Sequence, residues 1–385
     1  MTFASSFSRL SERARTRAAW IGAGVVVALG VAVACGPSGF TSDSVVSSVR
    51  VLATRVDNDK AYAHPGDMVT LETLTVDGRP NPTPPAVLYW VPFVCENPAS
   101  DLFYNCFASL IAEDGGAGDA AAITFGGGGT GAGTGASDDA GSPDGGATPS
   151  PVLTPGELPQ FFRGGVDVTD LLPTGPYTLT VPANAVTSHP PVTGAAPYGL
   201  LFVFNIACAG RVKTVPLDPN GGPEQVPIGC FDSSGNALDA DNYVIGYTRV
   251  YVSQDKTDLN PRIAGFLFNG TEIDAGGLGD GLPSAITLPP VPACGSNCNG
   301  IPIDMDVPGV NWDGGKSIWV DYFAKGGSLS DDAKLLYDTT AGRLSDVGHE
   351  VKYSPPATPG PATLWAVVHD SNDGVSWLQV NVTAK

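Results

Sequence analysis

Downstream of residue 44, apolar residues either alternate with polar ones or fill short unbroken runs. Alternation marks a sheet with one wet face, and a short unbroken run marks a strand covered on both faces. Residues 44–57 (SVVSSVRVLATRVD) predict a first strand. The turn Pro65-Gly66-Asp67 leads into 68–76 (MVTLETLTV), rich in β-branched residues. Its apolar phase switches between Leu71 and Leu74, which predicts a bulge or a strand covered on both faces. Residues 86–95 (AVLYWVPFVC) predict a further strand, bent or at an edge because of Pro92. Residues 177–181 (YTLTV), 199–208 (GLLFVFNIAC) and 243–253 (YVIGYTRVYVS) complete a first unit. In the last of these, Val244, Val250 and Val252 share one face and Tyr243, Tyr247 and Tyr251 the other, a row that reads as cross-strand packing.

A second unit starts near Asp258. Residues 262–268 (RIAGFLF) predict a strand, and Ile301, Ile303, Met305 and Val307 alternate with Pro302, Asp304 and Asp306 in the cleanest period-2 pattern of the chain. Residues 317–323 (SIWVDYF) follow, then a short helix or an edge strand around 332–337, then a strand over 350–353 running into Pro355-Pro356. Residues 363–369 and 375–383 predict a hairpin across Asp370-Ser371-Asn372-Asp373-Gly374.

The composition fits this reading. The chain has 385 residues, enough for two domains and linkers, and carries 49 Gly and 34 Pro. Both residue types destabilise helix interiors, so a helix-rich fold is excluded. Within 115–147, 13 of 33 residues are Gly, so a low-complexity insert of about 114–151 is expected to interrupt the first unit. It is no phosphate cradle, for it has no GxxxxGK[ST] motif and no Lys or Arg occurs from 80 to 162. The formal net charge of −19 argues against nucleic acid as a partner.

The N-terminus reads as an export signal spanning 1–34. Arg9, Arg13, Arg15 and Arg17 precede an uncharged run (AAWIGAGVVVALGVAVA) that ends in Ala34. Ala32-Val33-Ala34-Cys35 resembles a bacterial lipobox. The resemblance implies cleavage before Cys35, lipidation of its thiol and a short tether over 35–44. Gly36, rather than Asp, follows the cysteine, which by resemblance to Gram-negative sorting points to the outer membrane. Removal of 1–34 leaves 16 basic against 38 acidic residues, a formal net of −22. Such a surface repels anionic headgroups, so the lipid is what should hold the protein at the membrane.

Six further cysteines remain, Cys95, Cys106, Cys208, Cys230, Cys294 and Cys298. An even number in an exported chain suggests three disulfides, and fifteen connectivities exist on paper. The spacing suggests the local pairs Cys95–Cys106, Cys208–Cys230 and Cys294–Cys298. Zinc at Cys294/Cys298 is the weaker alternative, because no second pair or His stands nearby.

The two units echo one another in LYWVPF and IWVDYF, TLTVPA and EVKYSPP, and GLLFVFN and ATLWAVV. With a Trp on a central strand and a closing hairpin, they resemble the immunoglobulin-like β-sandwiches of bacterial surface lipoproteins. The resemblance implies an all-β protein of two immunoglobulin-like antiparallel sandwiches, 45–253 with the Gly-rich insert and 258–385. Cys95 and Cys106 lie too close in sequence to be the inter-sheet disulfide of that fold.

Catalytic signals are sparse. His64, His189, His349 and His369 lie in neither HExxH nor a setting beside a GxSxG serine. Asp304 and Asp306 share a strand face, which offers paired carboxylates to a hydrolase, though outward Asp on an acidic surface explains them too. The turns at 57–59, 239–242 and 370–374 lack the DxDxDG spacing. Asp370, Asn372 and Asp373 are weak candidates for a structural Ca²⁺, and no other cofactor is expected. The expected role is therefore a non-catalytic binding, adhesion or envelope-structural module, lipid-anchored to the outer membrane, with a protein or glycan ligand. A carbohydrate-binding surface lipoprotein using exposed aromatics such as Trp312 and Tyr251 is one alternative. A carboxylate-dependent hydrolase is the other.

Overall fold

The computed structural model describes residues 43–56, 60–107, 162, 165–216, 225–275, 285–294, 298–312, 315–344 and 350–385. The expected signal segment, Cys35, most of the tether, His349, the turn at 57–59 and the Gly-rich insert lie outside them. The described chain is all-β.

In the first half the strands are β1 (Val49–Val56), β2 (Met68–Asp77), β3 (Val87–Glu96), β4 (Tyr177–Thr180), β5 (Gly199–Cys208), β6 (Arg211–Thr214), β7 (Ile228–Phe231) and β8 (Tyr243–Val252). They form antiparallel sheets of order β1-β2-β4 and β3-β5-β8, with β6 and β7 as a separate pair. Between the two larger sheets lies a core that includes Leu71, Trp90, Tyr177, Leu201, Val203 and Val250. The Trp90 and Tyr177 rings stack at 5.3 Å, and Trp90 Nε1 donates to Gly175 O at 2.8 Å.

Every residue of β5 is buried, which explains its unbroken apolar run. Its second face, with Phe202, Phe204 and Ile206, belongs to another core that includes Phe107, Val212 and Ile228. Two disulfides tie this cover down. Cys95 at the end of β3 is bonded to Cys106, and Cys208 at the end of β5 to Cys230 of β7. A third bond joins Cys294 to Cys298. At Pro92 the register of β3 against β5 shifts between Trp90 and Val94, the bend that a proline without an N–H imposes.

The second half comprises β9 (Gly265–Phe268), β10 (Thr271–Asp274), β11 (Ile286–Thr287), β12 (Ile301–Asp306), β13 (Ile318–Lys325), β14 (Ser328–Leu329), β15 (Ala333–Asp338), β16 (Gly342–Arg343), β17 (Val351–Ser354), β18 (Gly360–Asp370) and β19 (Val375–Ala384). The sheet β10-β9-β12-β17-β14 covers the sheet β11-β19-β18-β13-β15-β16. Their common core includes Phe266, Ile303, Met305, Val320, Tyr322 and Leu364. The stretch at 332–337 is strand, not helix, because β15 pairs with β13 and buries Leu336 and Tyr337.

The halves repeat one connectivity. In the first, β1-β2-β4 opposes β3-β5-β8; in the second, β9-β12-β17 opposes β13-β18-β19, strand for strand in chain order and antiparallel throughout. Even the edges correspond. Ala63 bridges Val252 of β8 in parallel, as β11 pairs in parallel with β19.

The sandwiches are fused rather than strung together. The outer faces of β1 and β2 pack on the outer faces of β13, β18 and β19. Val46, Leu74 and Val76 meet Phe323 and Trp365, while Ala53 meets Val367 and Trp377. The Arg55 guanidinium lies 4.3 Å from the centre of the Trp377 ring and 2.7 Å from Glu72. The phase switch in β2 follows from this seam. Leu71 points into the first sandwich and Leu74 into the junction, and β1 answers with a register shift between Val51 and Ala53. Residues 43–385 form one compact unit.

Candidate functional site

A cleft of about 440 Å³ opens beside this seam, with walls from both sandwiches. On one side stand the middle of β1 and Tyr247, Thr248 and Arg249 of β8. On the other stand Trp319 of β13 and the tip of the β18–β19 hairpin. Pockets lie preferentially where domains meet, because neither unit has to be hollowed to make them.

The second sandwich supplies a lateral row. Register places Val375, His369, Trp319 and Leu335 side by side on four adjacent strands, all on the outer face. The His369 and Trp319 rings stack at 5.2 Å with 13° between their planes. Asp321 Oδ2 lies 3.2 Å from His369 Nε2 and orients the imidazole. Leu335 ends the row, 41% exposed.

The first sandwich supplies the facing row. Tyr247 is stacked on Phe103 at 4.4 Å yet remains 37% exposed. The Arg249 guanidinium lies 6.0 Å from the Phe202 ring. Burial opposes its charge, but the hydrogen bonds and fields of Tyr247 and Tyr251 outweigh that and raise its pKa. Beyond Arg249 an aromatic cluster runs through Tyr251, Tyr198 and the buried Tyr62, with Tyr251 6.0 Å from Tyr198 and 6.5 Å from Tyr62.

At the cleft mouth sits the hairpin turn. Asp370 is buried and folds that turn, its Oδ1 accepting from the N–H groups of Asn372 at 2.8 Å and Gly374 at 2.9 Å. A Cβ at Gly374 would come within 2.6 Å of Asp370 Oδ2, so only glycine fits there. Asp373 has a left-handed φ of 67°. Its side chain reaches solvent, but crowding by burial and the field of Asp370 raise its pKa against the pull of Arg249 and Lys256.

The same turn held the candidate calcium ligands. Lys316 Nζ lies 3.3 Å from Asp370 Oδ2 and 3.0 Å from Asp258 Oδ1, and Asn372 Nδ2 donates to Asp258 Oδ2 at 3.0 Å. A buried ammonium therefore stands where an ion would be bound. No group of three or more His, Cys, Asp or Glu side chains suited to a metal occurs among the described residues.

The aromatics singled out from sequence are packed. Trp312 is half-buried against the second core and donates from Nε1 to Asp338 O at 2.9 Å. Tyr251 is half-buried between Tyr62 and Tyr198. Neither is a free platform; a row of tyrosines on a strand packs first on its own sheet. Trp319 and Tyr247 line the cleft instead, and the signal for them was their place on strands that also bury their other face.

Asp304 and Asp306 do share the outer face of β12, with Ile303 and Met305 inward. Asp304 Oδ1 accepts from the Met305 N–H at 2.8 Å. Arg343 Nη1 donates to the Tyr337 hydroxyl at 3.2 Å, which with the fields of Asp304 and Asp306 raises the Arg343 pKa against burial. That is a charge-compensated surface, two carboxylates beside a guanidinium. His189 is held by Asp101, at 2.8 Å, alongside Tyr198, whose hydroxyl donates to the same carboxylate and is pushed up to about 12.

No protein-family model matches the chain, and no curated protein matches it.

Proposed function

We propose that the chain is an outer-membrane lipoprotein, anchored through Cys35, that acts as a non-catalytic binding module, and that its two sandwiches are immunoglobulin-like. The repeated connectivity of three strands facing three, antiparallel throughout, supports the fold reading. The observation that carries the functional reading is the cleft beside the Trp365/Trp377 seam. Its walls come from two units held rigidly together, and it gathers aromatic, cationic and carboxylate side chains without a nucleophile–base pair. A rigid tandem suits binding, because a preformed site loses little conformational entropy when filled.

Metabolic labelling with a fatty acid, followed by density fractionation of the envelope, tests the anchor. Wild type should carry label and co-fractionate with the outer membrane, and Cys35→Ser should do neither. Equal labelling of both proteins sinks the anchor. The hydrolase alternative rests on the Asp304/Asp306 face, whose carboxylates act on the Arg343 guanidinium.

A further inference from the structure

From the junction cleft we infer a specific ligand class, a neutral pyranose sugar of a glycan. This inference rests on the binding-module reading and goes beyond it.

A pyranose ring offers apolar C–H faces and a rim of hydroxyls that both donate and accept. Its site needs an apolar wall beside fixed groups of both hydrogen-bonding signs. Val375, His369 and Trp319 make the wall on one side and Tyr247 faces them from the other. Among the lining residues Arg249 supplies donors and Asp373 supplies acceptors. These groups are fixed before any ligand arrives. Trp319 is stacked on His369, His369 is paired with Asp321, and Tyr247 is stacked on Phe103. The hairpin tip carrying Asp373 is held by the Asp370 turn and by Lys316.

Charge decides between sugar classes. Asp370 is neutralised by Lys316 and Asp321 is paired with His369, so the lining presents Asp373 and Arg249, one charge of each sign, on a chain that is net −19. Uronates and phosphorylated sugars approach it against the net negative field of the chain. A simple cation meets Arg249. A neutral polyol satisfies both signs. A volume of about 440 Å³ admits one or two pyranose rings.

The test uses the full-length lipoprotein in detergent, titrated with glucose, galactose, mannose, N-acetylglucosamine and their β-linked dimers, with galacturonate as the charged probe. Tryptophan fluorescence and calorimetry read the binding. At least one neutral sugar should bind with a Kd below about 1 mM, the weak end of ordinary affinities. Asp373→Asn and Arg249→Gln, both at the rim where folding is least at risk, should each weaken it at least tenfold, and Trp319→Ala should abolish it. Absence of binding by every neutral sugar at 10 mM overturns the inference. So does binding unchanged in both rim variants, or galacturonate binding more tightly than any neutral sugar. A photo-crosslinking side chain placed at Thr248 in intact cells separates the two levels. A discrete protein adduct without sugar binding overturns the sugar and leaves the binding module standing; neither adduct nor sugar binding removes both.

Discussion

The ammonium of Lys316 lies 3.0 Å from Asp258 Oδ1 with only 7% of its side chain exposed, so the segment joining the two sandwiches is fastened to the second by a buried ion pair. Asn260, two residues on, fastens it to the first. Its Nδ2 donates to Lys60 O at 2.9 Å, while its Oδ1 accepts from Val375 N at 3.0 Å. Removing one partner of such a pair leaves a buried charge uncompensated, which costs roughly 3–5 kcal/mol. Lys316→Ala should therefore lower stability by about 3 kcal/mol in urea unfolding. A loss under about 1 kcal/mol would show that water reaches the site.

The same ammonium bears on calcium. Because Lys316 already neutralises Asp370 and Asp258, the turn at 370–374 should not gain from added Ca²⁺. A site with a Kd of 0.1 mM would add about 2.7 kcal/mol at 10 mM Ca²⁺, a shift of several degrees in Tm. Wild-type Tm should stay within about 1 °C over that titration. A shift that disappears in Asp370→Asn would show that calcium displaces the lysine.

The seam between the sandwiches should make them unfold together. Trp365 and Trp377 are 5% and 7% exposed, and each fills the junction rather than either sandwich core. Truncating a buried tryptophan costs about 3–5 kcal/mol. Wild type should give one calorimetric transition. Trp365→Ala should split it in two, because the remaining contacts no longer exceed the difference between the two units. A single transition in Trp365→Ala, lowered but undivided, would place the coupling elsewhere.

Much of this fold was legible in the residues. Strand positions followed from alternation and short apolar runs, since a strand needs no information beyond its own pleat to declare a face. GLLFVFNIAC announced a strand buried on both sides, as β5 is. The junction was only half legible. The phase switch from Leu71 to Leu74 and the run ATLWAVV both record a second buried face, but nothing local says which surface covers it. The candidate site was least legible. Trp312 and Tyr251 stood out as aromatics, and both are packed, whereas Trp319 and His369 become neighbours only through the register of β13 on β18. That pairing spans 50 residues and is fixed by the whole sheet.

Acid should weaken the protein through Asp77. Burial alone would raise its pKa, but bonds from Arg79 Nη2 at 2.7 Å and Nε at 2.9 Å, and from the Ala86 N–H at 3.0 Å, lower it. A carboxylate with a depressed folded pKa contributes stability that is full above the unfolded value, about 3.9, and is lost as pH falls through the folded value. Asp167, lowered to about 2 by Arg211, acts in the same sense at a more exposed site. Tm should fall steeply below about pH 4, and Asp77→Asn should flatten that fall while lowering Tm at pH 7. An unchanged acid profile in Asp77→Asn would assign the acid sensitivity to other carboxylates.

Cutting the chain inside the Gly-rich stretch should leave the first sandwich assembled. β1, β2 and β3 precede that stretch, and β4, β5 and β8 follow it. The pairings β2 with β4 and β3 with β5 thus cross the cut, the second of them over seven residue pairs. Trp90 stacks on Tyr177 across the same divide. None of the three disulfides crosses it, since Cys95–Cys106 lies wholly before and the other two wholly after. With a sequence-specific protease site inserted near Gly131, the cleaved protein should elute from a sizing column as one species and keep its strand circular dichroism. On a denaturing gel without reductant it should run as two fragments, because no covalent bond joins them. Fragments that separate on the native column would mean that the cross-cut pairings are too weak to hold the sandwich without chain continuity. Fragments that stay joined on the denaturing gel would mean that a cysteine before the cut is bonded to one after it, and the local pairing would be wrong.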